Sequence, residues 1–159
     1  MIKEQKSTKK QLEKFSKKIN KDKLGNALLI IGSVEDIPLG LVGIASKLYI
    51  NFPWGSLLSG IANVKDEIIN NIISLLTKTG EIEVVFGYSE HAEPSEFERL
   101  DLEEIDLTYI KTNVGPKFES KGLKILEIKK LIRKEIFNIE SSWGKKLKFG
   151  KARDYYKVL

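Results

Sequence analysis

An α/β domain with a largely parallel sheet and a final antiparallel strand is predicted by three features of this 159-residue chain. Continuous apolar runs of strand length alternate with segments whose apolar residues recur at helical spacing. Polar, proline- or glycine-bearing stretches separate them, and neither an internal repeat nor a low-complexity tract breaks the alternation. With 42% hydrophobic residues, the chain is long enough to bury a real core as a single domain, residues 1–159.

Residues 5–20 read as a helix, with Leu12, Phe15 and Ile19 on one stripe and lysines on the rest. Residues 1–24 are therefore expected to form a basic helix and linker, and 25–159 the sheet core and target-binding part. The run Ala27-Leu28-Leu29-Ile30-Ile31 and the run 46–52, which ends at Pro53, both read as buried parallel strands. Between Val64 and Thr79, Ile68, Ile69, Ile72, Ile73, Leu75 and Leu76 follow helical spacing, with Lys78 in the last turn and Gly80 as the stop. Glu81 to Tyr88 reads as the next strand. The polar stretch 89–102, which holds Pro94, reads as a surface excursion, and its His91 as a solvated loop residue. Helices through 103–112 and up to Gly122 lead to a strand at 123–129. A helix from Leu131 to Leu147 then turns at Phe149-Gly150 into a last strand, Asp154 to Val158.

Charge and composition narrow the function. The net charge is +5, with lysine concentrated in 3–23 and 117–157 and acid in 81–106, an asymmetry that favours a polyanionic partner over a plain solvated lysine face. There is no cysteine and only one histidine, so thiolate and histidine-based metal sites are excluded. No apolar run approaches the length of a membrane span and the N-terminus lacks an apolar signal region, so a cytoplasmic protein is expected.

Two segments carry residues suited to chemistry, and each holds one of the two tryptophans: Asn51-Phe52-Pro53-Trp54-Gly55-Ser56-Leu57-Leu58, and Ser141-Ser142-Trp143-Gly144-Lys145-Lys146 running on to Arg153. A flat indole beside backbone freed by Pro and Gly suits an unstacked nucleobase, and the cations after Trp143 suit the phosphates around it. Two half-buried structural tryptophans are the plainer alternative. If 46–52 is a central strand, Pro53-Trp54-Gly55 falls beyond its carboxyl end, where open α/β sheets bind ligands.

These blocks, with Lys145-Lys146-Leu147, Phe149-Gly150 and Arg153 in the right order, resemble the aminoglycoside-resistance methyltransferases of the KamB/NpmA group. Those enzymes methylate N1 of an adenine in the decoding site of 16S rRNA with S-adenosylmethionine. The resemblance runs from about Lys10 to Leu159 and includes Phe15-Ser16-Lys17-Lys18-Ile19 and the Glu35 to Pro38 corner. It implies a Rossmann-like class I methyltransferase sheet and the small ribosomal subunit as partner, with no membrane role. It also implies that Trp54 and Trp143 sandwich the flipped adenine, that Arg153 holds the adjacent phosphate, and that Lys145, Lys146 and Lys151 hold nearby backbone. Glu35, Phe52, Pro53 and Ser56 would line the cofactor pocket, and Ser141 would help to close the site.

The family begins with a strand, a glycine-rich turn, a helix and a second strand whose terminal acid holds the cofactor ribose. This sequence resembles the family from the following helix onward, and Gly25, Gly32, Gly40, Gly43, Gly55 and Gly60 form no G-x-G cradle. An N-terminally truncated sheet is therefore expected, and cofactor binding by this chain alone is expected to be poor. Either the 27–31 and 46–52 strands pair directly, or a homodimer or second chain covers the open sheet edge. A non-catalytic RNA-binding or partner-binding remnant of the same fold is the alternative function.

Overall fold

The computed structural model describes residues 13–17, 19–21, 25–28, 30, 32–139 and 153–159. The chain divides into two compact units, with the boundary between Ser33 and Val34. In the first unit, residues 13–17 and 19–21 are helical and form α1. Phe15, expected on a packed stripe, is 54% exposed.

The second unit is built on a four-stranded sheet. Its strands are β1 (Ala45–Asn51), β2 (Leu76–Phe86), β3 (Ile128–Lys130) and β4 (Tyr156–Val158), in the order β1-β2-β4-β3. β1 and β2 are parallel, with Ile50 opposite Val84 and Asn51 opposite Val85. β4 enters between β2 and β3 and runs antiparallel to both. The predicted final antiparallel strand is therefore present.

Strand alternation sorts the core into two clusters. Ile50, Val84, Phe86, Tyr156 and Val158 face α2 (Gly55–Ala62) and α3 (Asp66–Ser74), which contribute Leu58, Ile61, Ile68, Ile69 and Ile72. Helix α4 (Pro94–Leu100), the short α5 (Leu107–Tyr109), a π-turn at Ile110–Val114 and α6 (Gly115–Ser120) complete this larger cluster through Leu100, Ile110, Val114 and Phe118. Val85 points the other way and meets Leu131, Tyr155 and Ile136, the last on α7 (Arg133–Asn138).

Several expectations are corrected. Ala27, Leu28 and Ile30 form no strand, and Leu28 is 80% exposed. An apolar run becomes a strand only beside a partner, and β1 has β2 as its one neighbour in the sheet. Direct pairing of the 27–31 run with β1 is thus not observed among the described residues. The helix expected through Thr79 ends at Ser74, because Gly43 and Ala45 amides bond the carbonyls of Ser74 and Leu75 (both 2.8 Å) and draw the chain into β2 five residues early. Gly80 is then a strand residue at a close approach, where a Cβ would lie 2.8 Å from the Ala45 carbonyl oxygen. The polar stretch 89–102 contains α4 with Pro94 in its first turn, and Leu100 and Leu102 are buried, while His91 sits exposed in a turn. The helix expected from 131 to 147 is described only as α7, and the Phe149-Gly150 turn lies outside the described residues.

Helices α2 and α3 meet at Gly60, where an added Cβ would come within 2.5 Å of the Ile68 side chain. Gly60→Ala is expected to lower stability by about 1–3 kcal/mol through overpacking, read as a shifted urea midpoint. Gly40→Ala should leave the midpoint in place, since nothing lies within 4 Å of its Cβ position.

Candidate functional site

At the carboxyl end of β1 the chain turns sharply. Asn51 closes the strand, Phe52 takes a left-handed conformation at φ 54°, and Gly55 does so again at φ 61° as α2 begins. A left-handed bulky residue costs about 1–3 kcal/mol and persists only where its surroundings hold it. Here the Phe52 amide donates to the Val85 carbonyl at 2.8 Å, and its ring meets Tyr155 edge-on, with centroids 5.2 Å apart and planes at 87°. An edge-to-face pair contributes about 0.5–1.5 kcal/mol beyond burial, so contact and strain are of one order.

The turn presents its residues unequally. Pro53 is buried and Trp54 is 44% exposed. Ser56 is exposed in the first turn of α2, and that helix has no side-chain cap at Trp54. The Cβ position of Gly55 has nothing within 4 Å. Open space, uncapped helix amides and an exposed hydroxyl fit a polar ligand seated against this turn.

The base of Trp54 rests on a narrow cleft that also involves Leu58, Tyr88, Ser89, Glu93 and Phe97. Glu93 accepts an ion pair from Arg153 Nη1, and each side chain is only 14% exposed. Among the described residues the buried Arg153 Nε has no hydrogen-bond partner. Arg153, expected to hold phosphate, is therefore joined to the Trp54 region through Glu93, with its guanidinium committed to a carboxylate. Glu93 and Tyr155 were not among the residues expected at the site. Neither has a local sequence signal, because each meets its partner only through the fold.

Burial pushes the Tyr155 hydroxyl up to about 12, with the Arg153 charge opposing it. Burial likewise raises Tyr88, whose hydroxyl donates to the Glu103 carbonyl at 2.9 Å. The Glu35 carbonyl and that of Val34 accept from Asn71 Nδ2 on α3, at 3.4 and 2.9 Å. Trp143, Ser141, Lys145, Lys146 and Lys151 lie outside the described residues. Among the described residues no group of three or more metal-ligating side chains occurs, and no helix is long and apolar enough to cross a membrane. A cavity of about 540 Å³ lies between α3, the amino half of β2 and residues 122–126.

The sheet and the ligand-side turn define an α/β fold of methyltransferase type. Three solved relatives, one described as an antibiotic-related methyltransferase and two as 16S rRNA (adenine(1408)-N(1))-methyltransferases of Catenulisporales acidiphilia, superpose with TM-scores of 0.67, 0.66 and 0.70. The second of these was solved with its cosubstrate SAM, at 22% identity to this chain and 80% coverage of it. This chain spans 58%, 57% and 62% of their lengths. A 30S ribosomal methyltransferase from an uncultured bacterium is 40% identical, with a TM-score of 0.66 over 94% of this chain and 69% of its own. A 16S rRNA (adenine(1408)-N(1))-methyltransferase of Escherichia coli is 29% identical over 147 residues, 92% of this chain and 67% of the relative. The model of that family, NpmA, matches residues 5–159. The chain belongs to the 16S rRNA (adenine(1408)-N(1))-methyltransferase family, in agreement with the blocks around Trp54 and Trp143.

Two measurements test the local energetics. Glu93→Ala strands a largely buried guanidinium and should cost about 3 kcal/mol, the lower end for a broken buried pair, whereas Glu93→Ala with Arg153→Met should recover part of that loss in chemical denaturation. Raising the pH should also destabilise the fold. Tyr155 keeps its proton in the folded state to about 12 but loses it near its ordinary value of 10 when unfolded. Its contribution is therefore full below 10 and is lost between 10 and 12, by about 2–3 kcal/mol. Tyr155→Phe should flatten that limb of the stability profile.

Proposed function

We propose that this chain carries the target-base part of an enzyme that methylates N1 of the adenine at position 1408 of 16S rRNA, with S-adenosylmethionine as methyl donor and the small ribosomal subunit as partner. The single observation that supports this most is the half-exposed Trp54, raised at the carboxyl end of β1 by a left-handed Phe52. In this reading Trp54 stacks on one face of the extruded adenine and Trp143 on the other. Pro53, buried just before the tryptophan, limits the backbone freedom with which Trp54 meets the base.

S-adenosylmethionine supplies, when bound, a methyl group on a positively charged sulfur. Glu35, Phe52, Pro53 and Ser56 would line its pocket, and Ser141 would help to close the site. Adenine N1 carries a free lone pair at neutral pH, so no general base is required. The chain's task is alignment, which in favourable intramolecular cases supplies about 7–11 kcal/mol. Lys145, Lys146 and Lys151 hold the RNA backbone near the flipped nucleotide. For Arg153 to take a phosphate it exchanges the Glu93 carboxylate for the phosphate oxygens, one charge-assisted contact for another.

Trp54→Ala should weaken capture of the base by about 1–3 kcal/mol, seen as a lost primer-extension stop at the modified adenine after incubation with 30S subunits and S-adenosylmethionine. Affinity for the 30S subunit should fall with salt. Neutralising Lys145, Lys146, Lys151 and Arg153 should lower the slope by roughly one counterion per lost phosphate contact. Salt-dependent binding with no stop in the parent would place the chain in the non-catalytic RNA-binding class.

A further inference from the structure

The turn that presents Trp54 is not held by its own residues alone. Phe52 is a bulky residue at φ 54°, a conformation it keeps without the help of a glycine. Its ring packs on the smaller of the two apolar clusters, which is composed of Val85, Leu131, Ile136 and Tyr155 with Phe52 and Ile139 at its margin. Tyr155 is the member that meets Phe52 ring to ring, and it is 5% exposed. Its carbonyl accepts from the Leu131 amide at 2.8 Å, which fixes its main chain to the strand end before α7. On the other side the backbone of Asp154 and Tyr155 crosses Gly87, where an added Cβ would lie 2.8 Å from Tyr155 Cδ1. Tyr155 is thus fastened at three points and offers its ring edge to a strained neighbour two residues before Trp54.

We infer that Tyr155 is a positioning residue for the proposed reaction: through its ring contact it keeps Phe52 left-handed and so sets where Trp54 stands. The same small cluster has Ile139 and Phe52 packed against it, so Tyr155 joins the Trp54 turn to the end of α7. Loss of the Tyr155 ring leaves Phe52 to relax out of its strained conformation, and the peptide planes leading to Trp54 rotate with it. The inference rests on the reading of Trp54 as the base-stacking residue for its functional consequence, but its structural content is independent of that reading.

The test uses the full chain with Trp143→Phe, so that Trp54 is the sole tryptophan, excited selectively over the tyrosines at the red edge of its absorption for time-resolved anisotropy. Tyr155→Phe, which keeps the ring, should give the parent decay, while Tyr155→Leu should enlarge the fast component of Trp54 motion. Phe52→Gly, which accepts the left-handed conformation but loses the ring, should match Tyr155→Leu, and combining the two should add nothing further. Val114→Ala, a fully buried position in the larger cluster, supplies a destabilised control in which Trp54 should stay unchanged. In the chain retaining Trp143, Tyr155→Leu should lower kcat for methyl transfer to 30S subunits by roughly 10- to 100-fold, as expected for about 1 Å of misplacement, with Tyr155→Phe restoring it. Unchanged Trp54 motion in Tyr155→Leu, or an equal change in Val114→Ala, overturns the inference. If the parent transfers no methyl group at all, the proposed function fails while the anisotropy comparison still decides the role of Tyr155.

Discussion

Three residues of backbone pairing decide where the functional side chains go. β4, Tyr156–Val158, inserts between β2 and β3, and its ladder to β2 reaches up to the pair Phe86–Tyr156. The chain just before it must therefore pass against the end of β2, and Gly87 makes that passage possible, since any Cβ there would lie 2.1 Å from the Asp154 carbonyl oxygen. From this one approach follow the Tyr155 contact with Phe52 and the Arg153 pair with Glu93. A short antiparallel strand thus joins the far end of the sequence to the turn that follows β1.

That joining also explains the electrostatics. Arg153 and Glu93 are both largely withdrawn from water, so the pair is bounded by desolvation and contributes more to specifying this arrangement than to net stability. Under the proposed function, a phosphate that takes Arg153 would have to offset the largely buried Glu93 carboxylate it leaves behind. Among the described residues the Arg153 Nε has no hydrogen-bond partner, which leaves one donor for such a ligand.

The sequence made legible those elements whose cause is local. β1 carries the apolar triplet Leu48-Tyr49-Ile50, β2 ends in Val84-Val85-Phe86, and the stripe of isoleucines in α3 has the helical period. The end of β1 before Phe52-Pro53-Trp54 was legible because proline terminates the strand. What could not be read depends on partners elsewhere in the chain. Ala27, Leu28 and Ile30 have a strand's composition but lie outside any strand. Gly80 has a helix-stop composition and serves a backbone crossing. Glu93 stands in an acidic stretch with nothing to distinguish it from Glu90 or Glu96 until β4 brings Arg153 beside it.

The same distinction separates the two walls of the proposed reaction site. The Trp54 wall is rigid for reasons visible in the fold: a buried proline, a strained residue held by an aromatic edge, and a helix that begins at once. A preorganised wall of this kind need not be ordered when the base arrives, so its stacking energy goes into binding rather than into fixing the indole. Under the proposed function, the cations that follow Trp143 in the sequence would need no such alignment, because attraction to a polyanion declines gradually over the Debye length. Rigidity would then matter most at Trp54, where a base is to be aligned, and charge alone would suffice where the RNA backbone is held.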